Sequence, residues 1–158
     1  MIDQQKPQHA STASASAPTA NDNGLRTAIE QLYFGYRAFT ALPDRILERR
    51  GLGRVHHRIL YFVGRHPLTT VNDLLATLNV SKQALHAPLR QLIAMNLIAI
   101  NTADHDRRVR QLALTPSGEH LEMQLTGTQM KQLSAIFDQV GLAAESGWHE
   151  VMRQLSAQ

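Results

Sequence analysis

Apolar residues recur at three- and four-residue spacing along several stretches of this chain, and each stretch closes on residues that stop helices. Leu25, Ile29, Leu32, Tyr33, Tyr36, Phe39 and Thr40 line one side of a first helix up to Pro43, which kinks or restarts it; Ile46 and Leu47 carry the stripe on towards Gly51 and Gly53. Val55, Ile59, Phe62 and Val63 mark a second helix, closed by Arg65-His66-Pro67. Thr70, with Asp73 one capping-box step further on, starts a short third helix whose apolar face is Val71, Leu74, Leu75 and Leu78. Asn79-Val80 makes a turn, and Ser81 caps a fourth helix with a buried stripe of Leu85, Leu89, Leu92 and Ile93.

The period then changes. Leu97-Ile98-Ala99-Ile100 reads as a short strand and Val109 to Leu114 alternates as a second, with the charged stretch Thr102 to Arg108 between them. Thr115-Pro116 supplies an N-cap and a proline at the first helical position, opening a helix with Leu121, Leu125, Leu133, Ile136, Phe137 and Val140 on one side. A last helix carries Trp148, Val151, Met152 and Leu155. Two helices joined by a tight turn and followed by a hairpin predict a mainly α fold with a small β-hairpin wing, a winged helix-turn-helix. The long first and last helices carry apolar stripes that so small a unit cannot cover, which predicts dimerisation helices at both ends. Pairing through residues 25–42 and 119–157 sets two recognition helices about one DNA turn apart and implies a near-palindromic operator.

Residues 1–24 are rich in Ala, Ser, Thr, Gln, Asn and Pro, too polar to offset the entropy of ordering, and are expected to form a disordered tail. The expected organisation is one domain over 25–158, with dimerisation helices in 25–50 and 116–158 and a DNA-binding winged unit in 54–115. At 158 residues and 43% hydrophobic content the chain suits one core. The absence of cysteine removes disulfides, thiolate metal sites and cysteine redox sensing. No apolar run approaches the roughly 20 residues that cross a bilayer, and no secretory signal precedes the first helix, so a soluble, cytoplasmic protein without membrane contact is expected.

Charge changes the picture once it is divided along the chain. The overall +3 conceals a stretch from Arg45 to Thr115 with eleven Lys or Arg against four acids, and a C-terminal part from Pro116 with two against five. A basic middle suits a polyanion, although solvated helix faces look the same. On the fourth helix Ser81, Lys82, Gln83, His86, Ala87 and Arg90 lie off the apolar stripe and mix base-reading groups with phosphate-binding cations. Gln83, near the helix start, has an amide that can pair bidentately with adenine; Arg90 suits guanine or phosphate. Acids at a DNA-facing wing tip need partners, so Asp106 is expected to orient an arginine, with Arg107 beside it and Arg108 entering a narrow minor groove. Pro88 removes a backbone hydrogen bond in mid-helix, so the recognition helix either kinks or begins later. No phosphate loop, nucleophile elbow or recognisable carboxylate pair speaks for an enzyme, and the eight histidines include no His-x-x-x-His pair that would speak for a metal. No cofactor is expected. The competing class is a winged helix that serves only protein contacts, with DNA affinity that is weak and indifferent to sequence.

The segments Leu74-Leu75-Ala76-Thr77-Leu78-Asn79-Val80-Ser81-Lys82-Gln83, Leu92 through Ile98, Asp106-Arg107-Arg108 and Leu112-Ala113-Leu114-Thr115-Pro116-Ser117-Gly118, in this order, resemble the multiple antibiotic resistance regulator (MarR) family across residues 25–157. Asn96 stands where members usually have glycine; asparagine tolerates the left-handed conformation that position needs. The resemblance implies a homodimer on duplex DNA, a DNA-contacting role for the Asp-Arg-Arg of the wing, repression as the default, and release by a small aromatic, anionic compound held between the dimerisation helices and the winged unit. Tyr33, Tyr36, Arg37, His56, His57 and Arg58 are the residues compatible with such a pocket, as aromatic walls and cationic handles, although each also fits an ordinary core or surface role.

Overall fold

The computed structural model describes residues 20–102 and 108–157. Its elements run α1 (Ala20–Glu48), α2 (Arg54–Arg65), α3 (Val71–Leu78), α4 (Lys82–Ala94), β1 (Ile98–Thr102), β2 (Arg110–Leu114), α5 (Pro116–Val140) and α6 (Leu142–Ser156). The fold is the mainly helical winged helix-turn-helix that the hydrophobic pattern predicts. The chain divides into two units between Tyr36 and Arg37.

In the first unit α1 begins at Ala20, ahead of the boundary that composition predicts at Leu25. Asp22 lies in its first turn, where a carboxylate complements the helix dipole, and the Thr27 hydroxyl donates to the Asn23 carbonyl. The rest of the expected tail lies outside the described residues. Leu25, Ile29, Leu32, Tyr33, Phe34 and Tyr36 are all exposed.

In the second unit one core joins Leu47 and Leu52 to Ile59, Leu60 and Val63 of α2, Leu74 of α3, Leu85, Leu89 and Leu92 of α4, Leu97, Ile98 and Leu112 of the wing, and Leu121 and Leu125 of α5. Pro43 lies inside α1 and is fully buried, so the helix runs through it to Glu48 without restarting. α1 then ends in a Schellman motif. The Leu52 N–H donates to the Leu47 carbonyl at 3.0 Å, the Gly51 N–H donates to the Glu48 carbonyl at 3.0 Å, and Gly51 takes φ 68°. Leu52 and Leu47, the residues this motif brings together, are both in the core.

The three expected caps are made by the predicted side chains. Thr70 and Asp73 form a reciprocal capping box at α3: the Thr70 hydroxyl oxygen accepts from the Asp73 N–H at 3.2 Å, and Asp73 accepts from the Thr70 N–H at 3.0 Å. The Thr70 hydroxyl also donates to the Asp73 carboxylate at 2.7 Å, and that bond first, with the Thr70 N–H second, holds the Asp73 carboxyl below its ordinary pKa. Ser81 caps α4 through the Ala84 N–H, and Thr115 caps α5 through the Gly118 N–H. Asn79 and Asn96 occupy the left-handed region with φ 50° and 55°, ending α3 and turning the chain into the wing.

β1 and β2 pair antiparallel, Ile98 opposite Leu114 and Thr102 opposite Arg110. The other edge of β2 is also used: the Leu112 N–H donates to the Thr69 carbonyl at 2.8 Å, and Thr70 bridges Gln111. This stitch ties the start of the helix-turn-helix to the wing. The exposed faces of α5 and α6 carry Met123, Met130, Val140, Leu142, Val151 and Leu155, and α6 has no buried residue at all. No helix among the described residues is long and apolar enough to cross a membrane.

Candidate nucleic-acid interface

Hydrophobic burial fixes the rotation of α4, because Leu85, Leu89 and Leu92 are all drawn into the core. The opposite face is thereby turned outward, and Lys82, Gln83, His86, Ala87 and Arg90 are exposed along it. The helix starts at Lys82 and continues through Pro88 to Ala94, so the later start that Pro88 allowed is not the one adopted. Ser81 is exposed at the N-cap, with its oxygen engaged by the Ala84 N–H. Lys82 and Gln83 therefore stand in the first turn, where the partial positive charge of the helix end favours an anion.

In the wing, Arg108 and Arg110 are exposed. Asp104, Asp106 and Arg107 lie outside the described residues.

The candidate effector residues fall into separate settings. Tyr33 and Tyr36 are exposed in the first unit, 58% and 41%; Arg37 and Arg58 are exposed in the second. His56, expected to be a cationic handle, is instead buried and structural. Its Nδ1 accepts from the Gly53 N–H at 2.9 Å, which leaves Nε2 as the donor to Gln91 Oε1 at 3.0 Å. Gln91 Nε2 in turn donates to the Gly51 carbonyl at 3.1 Å. His56 thus does for α2 what Glu or Gln does at the third position of a capping box, and through Gln91 it fastens the α1–α2 turn to α4. The Gly-x-x-His spacing was a signal for the cap, but the partner in α4 has no sequence signature.

His57 points elsewhere. Its Nε2 lies 3.4 Å from the Thr126 hydroxyl, which itself donates to Glu122 Oε1 at 2.6 Å. Burial lowers the His57 pKa from its ordinary value, outweighing the opposing fields of Glu122 and Asp44. It is therefore a weaker cationic handle than its sequence position suggests. The unfolded chain takes up a proton here before the folded one does as pH falls through 6.5. Stability is accordingly present above that pH and is lost on acidification towards the folded value. Thermal melts of wild type between pH 8 and 5 are expected to show this loss, and His57→Gln, which keeps a donor for Thr126, is expected to flatten it; an equally steep fall in the variant would place the proton uptake elsewhere.

A MarR family model matches residues 50–109. The helix-turn-helix-type transcriptional regulator PetP of Rhodobacter capsulatus is 40% identical over 134 residues, covering 85% of this chain and 81% of that protein. Among solved structures, Streptococcus pneumoniae FabT in complex with DNA matches with a TM-score of 0.74 at 16% identity, over 84% of this chain and 95% of that one. Bordetella bronchiseptica BpsR, whose structure is described as a mechanism for regulation of its DNA binding by 6-hydroxynicotinic acid, matches with a TM-score of 0.63 at 17% identity, over 82% and 98%. At those identities the structural likenesses speak for the fold.

Proposed function

The chain belongs to the MarR family of DNA-binding transcriptional regulators, and from that premise we propose that it is a cytoplasmic repressor that binds a near-palindromic operator as a homodimer and is released by a small aromatic or heteroaromatic acid. The observation that carries the reading is the outer face of α4, where Lys82, Gln83, His86 and Arg90 are presented from a helix locked in rotation by three buried leucines. Gln83 reads a base from the first turn, Lys82 and Ser81 take phosphate, and Arg90 takes guanine or phosphate.

Dimerisation through residues 25–50 and 116–158 is supported by the exposed apolar residues of α1, α5 and α6, with Leu142 81% exposed and Ile29 69%. Burying such side chains against a second copy stabilises by about 25 cal/mol per Å². The winged unit over 54–115 then supplies one half-site contact per chain. Release by an aromatic acid is supported by the regulation attributed to BpsR; Arg37 and Arg58 are the exposed cations of the second unit that such a carboxylate could pair with.

Fluorescence anisotropy against the intergenic DNA upstream of the gene, with a scrambled duplex alongside, tests the reading. Preference for the native duplex by at least about 1,000-fold is expected, the low end of the range for specific regulators, and aromatic or heteroaromatic acids are expected to reverse it. Equal, weak binding to both duplexes would favour a winged helix serving a protein partner.

A further inference from the structure

We propose that the turn between α1 and α2 is a second DNA contact, in which Arg49 and Arg50 bind backbone phosphates flanking the groove that α4 enters; the proposal rests on the reading of α4 as the DNA-facing helix. Three observations converge on it. Both arginines are exposed, and they occupy the turn that directly follows α1, immediately before the left-handed Gly51. The turn that carries them is rigid, closed by the Schellman pair of hydrogen bonds and anchored by the buried Leu47 and Leu52. Finally, the turn is bonded directly to the recognition helix, because Gln91 donates to the Gly51 carbonyl at 3.1 Å.

Gln91 is the neighbour of Arg90, the last cation on the outer face of α4. The turn that carries Arg49 and Arg50 is thereby bonded to α4 one residue beyond the last cation of its outer face. The one carboxylate of the turn itself is Glu48; Asp44, one turn earlier, is engaged by Arg54 at 2.7 Å. Cations at a helix C-terminus also complement its dipole, but Arg45 already lies in the last turn of α1. Two further arginines at a fixed turn beside a DNA-reading helix suit phosphodiesters, whose geometry a guanidinium fork matches.

The salt dependence of binding counts such contacts. Each phosphate neutralised contributes about 0.9 to the slope of log K against log salt, equivalent to about 5-fold in affinity at 0.15 M. Because a homodimer presents both arginines twice, Arg49→Gln/Arg50→Gln is expected to reduce the slope by about 3.6 and to weaken binding about 1,000-fold at 0.15 M salt, equally on native and scrambled duplexes. Arg49→Lys/Arg50→Lys, which keeps both charges, is expected to retain most of the slope. An unchanged slope in the Gln variant, a loss confined to the native duplex, or an equal loss in the Lys variant would overturn the proposal. The α4 reading fails on a different result, namely a Gln83→Ala/Arg90→Ala variant that keeps the full preference for the native duplex.

Discussion

Gly118→Ala is expected to lower the melting temperature by about 10 °C, a loss near 3 kcal/mol in a chain of this size. On propensity alone the change would stabilise α5, since alanine is favoured over glycine inside a helix by about 1 kcal/mol. The opposing effect is steric. A Cβ at Gly118 would run into the carbonyl oxygen of Leu97. That carbonyl cannot step aside cheaply, because it accepts from the Thr115 N–H at 3.1 Å, while the Thr115 hydroxyl holds the preceding Asn96 carbonyl at 2.6 Å. Relief requires moving α5 away from the wing, with Leu121 and Leu125 withdrawn from the core. Gly127→Ala on the same helix, where the added methyl meets no atom of its own chain within 4 Å, is the matched control and is expected to keep or raise the melting temperature. If both variants melt together with wild type, α5 and the wing are not held against each other as described.

Arg108→Ala is expected to weaken operator binding by about 30-fold, about 1 kcal/mol from each wing of a homodimer and the low end of the 1–3 kcal/mol that a specific base-proximal contact contributes. Arg108 is exposed just before β2, on a hairpin whose base is fixed from both sides by β1 and by the Thr69–Leu112 bond. A side chain carried next to so anchored a strand would reach a groove at little entropic cost, and a narrow A·T minor groove concentrates the negative potential that would attract it. Anisotropy at fixed salt, with circular dichroism to confirm that the variant is folded, measures the effect. The loss is expected to be larger on the native duplex than on a scrambled one; an equal loss on both would make Arg108 a phosphate contact, and no loss would remove the wing from the interface.

What the sequence discloses here is governed by distance along the chain. Caps at Thr70, Ser81 and Thr115 are legible because donor and acceptor lie three residues apart, and Asn96 is legible because few other residues tolerate its φ of 55°. The outer face of α4 follows from the spacing of Leu85, Leu89 and Leu92. Contacts between distant segments leave no such trace. Nothing local marks Gln91 as the partner of His56, so a histidine that completes a helix cap reads as a candidate ligand group. Nothing local marks Thr69 as an edge partner of β2 or explains why Gly118 must lack a side chain; its motif is recognisable, but its reason is a carbonyl on another element. Pro43 misleads in the same way, because the packing that carries α1 through it to Glu48 is tertiary.

The bond between Thr69 and Leu112 also sets a schedule. A chain emerging from the ribosome samples α2, α3 and α4 within about a microsecond of release, but helices this short are marginal until they pack. It cannot close the winged unit until β2 has been synthesised, nor cover Ile59, Leu60 and Val63 until Leu121 and Leu125 of α5 follow. At roughly 5–20 residues per second that wait lasts several seconds. During it the nascent helix-turn-helix exposes the leucines that will become its core, and translation speed through the wing codons governs how long they stay within reach of other chains.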